Sequence, residues 1–457
     1  MKKHANGILA IIMCMLLVTV MVGCGNEKAS DDTESVSNGN GENVELDTKA
    51  EETDTKAEEA DTKAEEPEEV KLVFWHHYNE QSNENKVLMD VLIPEFEKEN
   101  PSVKVEAVSH DWADLHNKAL VAATANNLPD VIRVDSAWIP EFVDAGMLQS
   151  IDQEYTDFNE VKDGILEGPM DTAKVAGHYY GLGLNTNTKI MFYNTKLLKD
   201  SGVDLPKTLD EFFMAATELS SNDNGQQIWG YGEPALSGWN VLPLIWSNGG
   251  EILNSDNTMA SGYLDSEQNI ELLKQLVTLK EENAMTGFNS GDIPMTDGFA
   301  QGRYAMIIDG PWKYAELKGG HAEFTDYAAT TMPAGKGGSI QVLGGEDISI
   351  SINANSDYAW KFVKFMTSEF AQVEMGKVGQ IPVSKKALEN PEITAIEDFT
   401  VFLEAIKTSR ARPAIADWSE VDQQINDAFT AALLGVKSPA DALTEAAKMI
   451  DDILDKK

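Results

Sequence analysis

Tryptophan and polar side chains lie close together at several points where the chain is expected to turn. Asp135 and Trp138 follow a short apolar segment, and Trp239 lies between Gly238 and Asn240. An indole ring packs against the apolar C–H face of a neutral sugar, while carboxylates, amides and guanidinium groups bind its hydroxyl edges. Asp135, Trp138 and Trp239 are therefore candidates for holding a polyhydroxylated ligand.

Other tryptophans fit a packed core better. Trp75 alternates into a predicted strand, and Trp246 and Trp360 fall in apolar helical segments. The sequence leaves Trp112 and Trp229 undecided. The nine tryptophans thus divide into candidate ligand surfaces, core residues and two unassigned positions.

Several kinds of catalytic site are excluded or unsupported. The only cysteines are Cys14 and Cys24, so the rest of the chain has no thiol nucleophile, disulfide or cysteine metal cluster. His76 and His77 are adjacent in a predicted turn and lack a third ligand at metal-binding spacing. No serine-hydrolase elbow, His-Glu-x-x-His zinc motif or phosphate-binding glycine loop is present. We therefore expect no metal and no cofactor, although 76 acidic residues always allow a carboxylate pair for glycoside hydrolysis.

Strands and helices alternate through the region that carries these residues. Apolar strands are predicted at 71–75, 103–108 and 130–134, with helices at 84–99 and 111–125 between them. Strands separated by helices of this length predict βαβ units and a parallel sheet. Ligands bind beyond the carboxyl ends of such strands, which places the turns after the first and third strands at a possible site.

Helix-start signals recur farther along the chain. Thr208 and Glu211 form a capping box, Asp265 is expected to cap a helix that ends near residue 282, and Pro311 and Pro439 occupy first-turn positions. A short buried strand is predicted at 304–308. The pattern is α/β nearly throughout residues 71–457, without an internal repeat or a flexible linker in that region.

The first residues are typical of a secretory address. Lys2 and Lys3 precede an apolar run at 8–22, which would span about 22 Å as a helix, less than a hydrocarbon core of about 30 Å. It predicts a signal peptide rather than a membrane-spanning helix. The segment that ends at Cys24 (MVGC) resembles the lipobox of bacterial lipoproteins, which implies a lipid anchor on that cysteine. The alternative is an ordinary secretory peptide with a chance cysteine.

An acidic stretch follows at residues 25–70, with 17 acidic and 4 basic residues. A seven-residue unit recurs three times between residues 47 and 67, but only one alanine per unit is apolar, so no coiled-coil seam exists. We interpret residues 25–70 as a disordered, self-repelling tether. The net charge of −40 argues against nucleic acid and anionic lipid as partners.

Several segments, in order along residues 71–457, resemble family 1 extracellular solute-binding proteins, the maltodextrin-binding type that serves ABC transporters. Each segment alone is a weak match, and their ordered succession carries the resemblance. The segments are 73–78 (VFWHHY), 96–105 (FEKENPSVKV), 127–131 (NLPDV) with Trp138, 145–148 (AGML), 179–182 (YYGL), 192–194 (FYN), 205–212 (LPKTLDEF), 299–306 (FAQGRYAM), 309–312 (DGPW), 344–345 (GG), 359–362 (AWKF) and 381–383 (IPV).

The resemblance implies an α/β, two-lobed, periplasmic-binding-protein-like fold of type II with hinge crossovers. Lobe one would comprise 71–186 and 346–390, and lobe two 187–345 and 391–457. The crossovers would lie near 185–188, near 344–347 and after 390. Gly344 and Gly345 also suit a hinge, because glycine absorbs large backbone changes at low cost.

The resemblance also implies further ligand contacts. The family places an aromatic residue against a sugar at the position of Trp312, and a second, from lobe two, near Trp418. In this family, the segment that corresponds to the residues after the first strand also reaches the ligand. The additional candidates on these grounds are His77, Tyr78, Glu80 and Asn187. Glu346, which follows the two hinge glycines, and Arg412 are further candidates.

The function that the resemblance implies is capture rather than catalysis. We expect a monomeric, lipid-anchored protein on the extracytoplasmic face of the cell membrane. It would bind a carbohydrate, with nine tryptophans favouring an oligosaccharide, and deliver it to the permease subunits of an ABC importer. A membrane-anchored glycoside hydrolase and a ligand sensor for a membrane receptor remain alternatives.

Overall fold

The computed structural model describes residues 69–223 and 225–455. The predicted signal peptide, Cys24 and nearly all of the predicted tether lie outside these residues. None of the helices in the described part is both long and apolar enough to span a bilayer.

The described residues form fourteen strands and twenty α-helices. The strands are β1 Val70–His76, β2 Val103–Ser109, β3 Val131–Asp135, β4 Lys174–Val175, β5 His178–Tyr179, β6 Leu182–Thr188, β7 Ile190–Asn194, β8 Ser221–Asp223, β9 Gln226–Gly232, β10 Met285–Thr286, β11 Tyr304–Asp309, β12 Tyr327–Thr330, β13 Gln341–Ile350 and β14 Ser409–Ala411. The helices are α1 Asn83–Val87, α2 Ile93–Glu99, α3 Trp112–Thr124, α4 Ile139–Asp144, α5 Ile151–Glu154, α6 Phe158–Asp163, α7 Glu167–Asp171, α8 Thr195–Ser201, α9 Leu209–Leu219, α10 Gly238–Ser247, α11 Glu267–Glu281, α12 Met295–Ala300, α13 Trp312–Gly320, α14 Ser356–Met366, α15 Glu369–Gly376, α16 Lys385–Glu389, α17 Pro391–Thr394, α18 Phe399–Ile406, α19 Trp418–Leu433 and α20 Pro439–Leu454.

The helix-start signals act largely as predicted. Thr208 and Glu211 form a complete capping box at α9, and Pro439 occupies the first turn of α20. The cap of α11 is Ser266 rather than Asp265, because the Ser266 side chain accepts from the Asn269 amide. The helix predicted at 84–99 is interrupted by a π-helical turn at Leu88–Leu92.

The first sheet has the order β14-β13-β3-β1-β2, with β6 also paired to β13. Strand β1 is parallel to both β2 and β3, as the βαβ pattern predicts. Strand β13 runs antiparallel to β3 and β6, and it places Glu346 opposite Asp135. The carboxyl end of β3 therefore lies beside the middle of β13.

The second sheet has the order β10-β9-β11-β7-β12, with β8 paired to β9. Strand β11 is buried along its whole length, since all six of its residues are covered. It ends at Asp309, and only Gly310 and Pro311 separate it from α13. The carboxyl end of β11 therefore determines where the first residue of α13 lies.

Strands β6 and β13 connect the two halves of the structure, each of which is built around one of the two six-stranded sheets. Val342 packs in the core around α9, α10 and α19, whereas Ile348 and Ile350 pack with β1 in the core of the first sheet. Gly345 has φ +135°, and a Cβ there would lie 2.3 Å from the Asn185 carbonyl oxygen. Only glycine permits this close approach of the two strands.

The segment 369–389 contacts both halves. Ala371 and Met375 pack in the core of the first sheet, while Ile381 and Ala387 pack with β7 of the second. The lobe bounds 71–186 with 346–390, and 187–345 with 391–457, are not tested by this packing and stay predictions.

Candidate ligand-binding cleft

A cavity of about 380 Å³ lies where β3, β6 and β13 meet the starts of α10 and α13. Its volume is within the range of small-ligand sites. Its lining combines indole rings, carboxylates, an amide and a guanidinium group. The lining residues are Trp112, Asp135, Asn187, Ser237, Trp239, Trp312, Gly344, Gly345, Glu346, Arg412 and Asp422.

Asp135 is the polar centre of one wall. It ends β3, and its carboxylate accepts from Arg412 Nη2 at 2.9 Å, from Trp112 Nε1 at 3.1 Å and from the Ala137 amide at 2.9 Å. Arg412 also lies over the Trp239 ring, with its guanidinium carbon 5.3 Å from the ring centroid. The charged pair thus joins the sheet edge to the aromatic side of the cavity.

Trp239 and Trp312 form the opposite wall. Their ring centroids are 6.5 Å apart and their planes are inclined by 34°. Each ring covers a glycine: Cβ atoms would lie 2.6 Å from the Trp239 ring at Gly344 and 2.2 Å from the Trp312 ring at Gly310. Trp312 remains 40% exposed, so a flat apolar surface faces the cavity.

A buried charge cluster fixes Glu346 at the base of the cavity. Its carboxylate contacts Arg133 Nη2 at 2.8 Å and His77 Nε2 at 3.4 Å, and it accepts from Asn185 Nδ2. Burial acts to raise the pKa of Glu346, but the charge of Arg133 and the hydrogen bonds from His77 and Asn185 outweigh it and lower the pKa to about 2. Glu346 is thus held as a carboxylate whose acceptor sites are largely occupied.

Asp422 lies on the side of the cavity formed by α10 and α19. Its Oδ1 accepts from the Gly238 amide at 2.5 Å, one residue before Trp239. Burial raises the pKa of Asp422, opposed by the Gly238 hydrogen bond and the charge of Arg412. Because Gly238 begins α10, this contact positions the helix start that presents Trp239.

Residues 79–373 match the family described as bacterial extracellular solute-binding protein. This match covers more than half of the chain. The chain belongs to this family.

Curated relatives of this solute-binding protein are identical to it at about a quarter of the aligned positions. A putative binding protein of Brucella abortus is 26% identical over 79% of this chain and 88% of its own length. The maltotriose-binding protein of Pyrococcus abyssi is 28% identical over 71% and 68%, respectively. A maltooligosaccharide ABC transporter solute-binding lipoprotein of Streptococcus pneumoniae is 23% identical over 79% and 85%.

Solved structures share the fold of this solute-binding protein. The GacH receptor of Streptomyces glaucescens, solved unliganded and with acarbose, superposes with a TM-score of 0.74 at 25% identity, over 85% of this chain and 99% of that one. A substrate-binding protein of Listeria monocytogenes in complex with cycloalternan gives 0.74 at 22% identity, over 85% and 100%. The fold is therefore the two-lobed α/β fold of periplasmic binding proteins. The family comprises proteins that bind substrates, as distinct from enzymes.

The structure brings six of the predicted ligand residues of this solute-binding protein into the lining of one cavity. His77 lies directly behind them, because its Nε2 contacts Glu346. Burial and the charge of Arg133 lower the pKa of His77, against the opposing effect of Glu346. The six lining residues are Asp135, Asn187, Trp239, Trp312, Glu346 and Arg412.

The other four predicted residues do not line the cavity. Tyr78 is buried beneath the Arg133 guanidinium, 4.1 Å from its ring centroid, and burial raises its pKa to about 12. Glu80 is exposed and outside the lining. Trp138 and Trp418 are each only 4% exposed.

Packing explains why these two tryptophans are displaced from the predicted role. The Trp138 ring supports Trp112, with centroids 4.9 Å apart, and Trp112 takes the aromatic position beside Asp135. Trp418 begins α19 and packs against Gly238, where a Cβ would lie 3.1 Å from its ring. Its ring is a support beneath the start of α10 rather than an open plane.

Sequence reasoning did not identify Trp112, Ser237 or Asp422 as lining residues. Trp112 is 50% exposed and begins α3, directly after the carboxyl end of β2. That position at the ligand-binding edge of a parallel sheet was a usable signal. Asp422 carried no comparable signal, because its place depends on how α19 packs against α10.

No group of three or more His, Cys, Asp or Glu side chains suited to a metal ion occurs in residues 69–223 and 225–455. The cavity lining instead offers hydrogen-bond donors and acceptors for ligand hydroxyl groups, together with aromatic faces.

Proposed function

We propose that this solute-binding protein captures an oligosaccharide in the cavity between its two halves and delivers it unaltered to the permease of an ABC importer. The observation that carries the proposal is the convergence of Trp112, Trp239 and Trp312 on one cavity with Asp135 and Arg412. Indole faces suit the C–H faces of sugar rings, and the charged pair suits their hydroxyl groups.

The charges of the lining favour a neutral ligand. Arg412 is the one cationic side chain among the described lining residues, and Asp135 already neutralises it at 2.9 Å. Glu346 is likewise neutralised by Arg133. An anionic or zwitterionic solute would need a cation free to pair with it, whereas a neutral saccharide can hydrogen-bond to both members of an existing pair.

The names of the relatives support the same class of ligand. A maltotriose-binding protein and a maltooligosaccharide-binding lipoprotein are among them. Their ligands are neutral and contain several sugar units. We extend this class, but not the particular sugar, to the present protein.

The mechanism is closure around the ligand. A saccharide bound to Asp135 and Trp112 on one half contacts Trp239 and Trp312 on the other, and only contacts formed in the closed state shift the equilibrium toward it. Strands β6 and β13, with Gly345, form the hinge in this scheme. The lobes have the bounds 71–186 with 346–390 and 187–345 with 391–457. The protein acts as a monomer, tethered by residues 25–70 and anchored through lipidated Cys24.

A thermal-shift screen against mono- and oligosaccharides, amino acids and organic anions tests the ligand class. We expect oligosaccharides to raise the melting temperature, because a ligand that binds only the native state stabilises it. Chromatography of the saccharide after incubation should recover it unchanged. A shift caused by amino acids or anions but by no saccharide, or the appearance of cleavage products, would contradict the proposal.

Transport requires a separate test. Cells that lack this protein should lose uptake of the radiolabelled saccharide identified in the screen, and the wild-type gene should restore it. Retained uptake with a lost transcriptional response to the saccharide would instead favour the sensor function.

A further inference from the structure

A second cavity of about 610 Å³ lies next to the cleft. Arg412 lines both cavities, so they are neighbours along the segment that follows β14. The residues lining the second cavity are Trp246, Glu251, Ile252, Leu253, Asn254, Ser255, Asn257, Tyr263, Arg410, Ala411, Arg412, Pro413 and Ala414.

The two cavities repeat the same combination of side chains. In the cleft, Arg412 lies over Trp239 and pairs with Asp135 at 2.9 Å. In the second cavity, Arg410 lies over Trp246, 4.6 Å from a ring centroid, and both of its terminal nitrogens pair with the Glu251 carboxylate at 2.9 Å. Each cavity thus has an indole ring, a guanidinium group above it and a carboxylate that holds the guanidinium.

Backbone geometry places these two combinations in line. Trp239 and Trp246 are seven residues apart on α10, so they lie on one face of the helix, two turns or about 10 Å apart. Arg410 lies in β14 and Arg412 directly follows this strand, and each guanidinium group lies over one of these two rings. The row of paired tryptophan and arginine side chains therefore continues from the cleft into the second cavity.

Trp246 supports Arg410 from below. The residue is 3% exposed, and its indole Nε1 is covered by protein without a hydrogen-bond partner among the described residues. A saccharide in the cavity would therefore contact the partly exposed Arg410 and Glu251 rather than this nitrogen. The Trp246 indole serves as a reporter of occupancy, because its ring lies directly beneath Arg410.

We infer that the second cavity is an additional saccharide subsite, which holds the units of a longer oligosaccharide that extend past Arg412. This inference rests on the proposed function and adds the prediction that the ligand is longer than the cleft alone accommodates. Glu251 and Arg410 bind hydroxyl groups of these units, and Asn254 and Tyr263 complete the polar lining.

The test compares short and long members of one saccharide series by isothermal titration calorimetry. Linear α-linked and β-linked glucose oligomers, from the disaccharide to the heptasaccharide, serve as probes. Ser255→Trp places a bulky ring in the second cavity from an exposed loop position. Asp256→Trp is the matched control, because Asp256 is the exposed neighbour that does not line the cavity.

In the wild type, affinity should rise with length beyond the shortest oligomer that binds. Ser255→Trp should weaken the longest oligomer by about fivefold or more, because the new ring excludes its outer units and the loss is on the scale of one hydrogen bond, and it should leave the shortest unchanged. Arg410→Ala should act in the same direction, and Asp256→Trp should change neither. In ¹⁵N-labelled protein, the indole N–H signal of Trp246, assigned with Trp246→Phe, should shift with the long oligomer only.

Two negative results have different meanings. If oligomers bind but Ser255→Trp affects short and long ones equally, or affects neither, the subsite is disproved while the proposed function stands. If no saccharide of any length binds, the proposed function itself fails.

Discussion

Asp135 and Arg412 meet at 2.9 Å inside the cleft, although 277 residues separate them in the chain. Asp135 ends a strand of the first sheet, and Arg412 follows β14 and lies over Trp239. The pair therefore links the sheet edge to the aromatic wall, and it presents both a hydrogen-bond acceptor and a donor to a ligand between them.

Asp135→Asn should weaken oligosaccharide binding by about tenfold, because a hydrogen bond to a charged group is worth about 1.5–3 kcal/mol and the amide loses that charge. Calorimetric titration of the saccharide measures the change. Asp200→Asn makes the same chemical change in an exposed pair with Lys196 and should have no effect. Equal affinity in Asp135→Asn and wild type would exclude the carboxylate as a ligand contact.

Trp312→Ala should reduce affinity by about tenfold or more, since aromatic packing is worth about 1 kcal/mol beyond the area it buries. Stability should change little, because the ring is partly exposed. Phe370→Ala removes a similarly exposed aromatic side chain outside the cavity and serves as the control. Undiminished binding by folded Trp312→Ala would remove this residue from the site.

Gly345→Ala should destabilise the fold by about 1–3 kcal/mol, because its φ of +135° is strained for alanine and the Cβ would approach the Asn185 carbonyl oxygen. Urea unfolding measures the loss. Gly319→Ala, in α13 with no atom near the added Cβ, should be neutral or slightly stabilising. A Gly345→Ala variant as stable as wild type would show that β6 and β13 can separate at little cost.

Glu346 should make stability fall in acid. Its pKa drops from 4.5 to about 2 on folding, so its contribution is complete above pH 4.5 and is lost as the pH falls toward 2. The shift corresponds to about 3 kcal/mol.

Glu346→Gln should therefore lower stability at pH 7 by about 3 kcal/mol, because Arg133 loses its buried partner, and should flatten the dependence between pH 5 and pH 3. Urea unfolding across this range gives the comparison. Glu106→Gln, in an exposed pair with Lys71, is the control. Parallel pH profiles for Glu346→Gln and wild type would contradict the assigned ion pair.

Cys24→Ser should release the protein from the membrane fraction into the medium, because a lipid anchor requires the thiol. Immunoblots of fractionated cells measure the distribution. Cys14→Ser, which changes the other cysteine, should leave the protein with the membrane. Membrane association of Cys24→Ser equal to that of wild type would disprove the anchor.

Local pattern was sufficient for much of the fold and part of the cleft. The strand that ends at Asp135 is recognised by a short, mostly apolar run. The capping box at Thr208 depends on hydrogen bonds within one helical turn. Trp312 could be placed at a helix start because Gly310 and Pro311 precede it. These features are determined by residues a few positions apart, which the sequence shows directly.

Only the tertiary structure decided which indole rings face the cavity. Trp112, Trp312 and Trp418 each begin a helix, yet Trp418 is buried against Gly238 while the other two are exposed. The difference arises from packing between α19 and α10, whose residues are about 180 positions apart in the chain. Exposure depends on the neighbours that the fold brings to a side chain, and neither residue type nor local spacing specifies those neighbours.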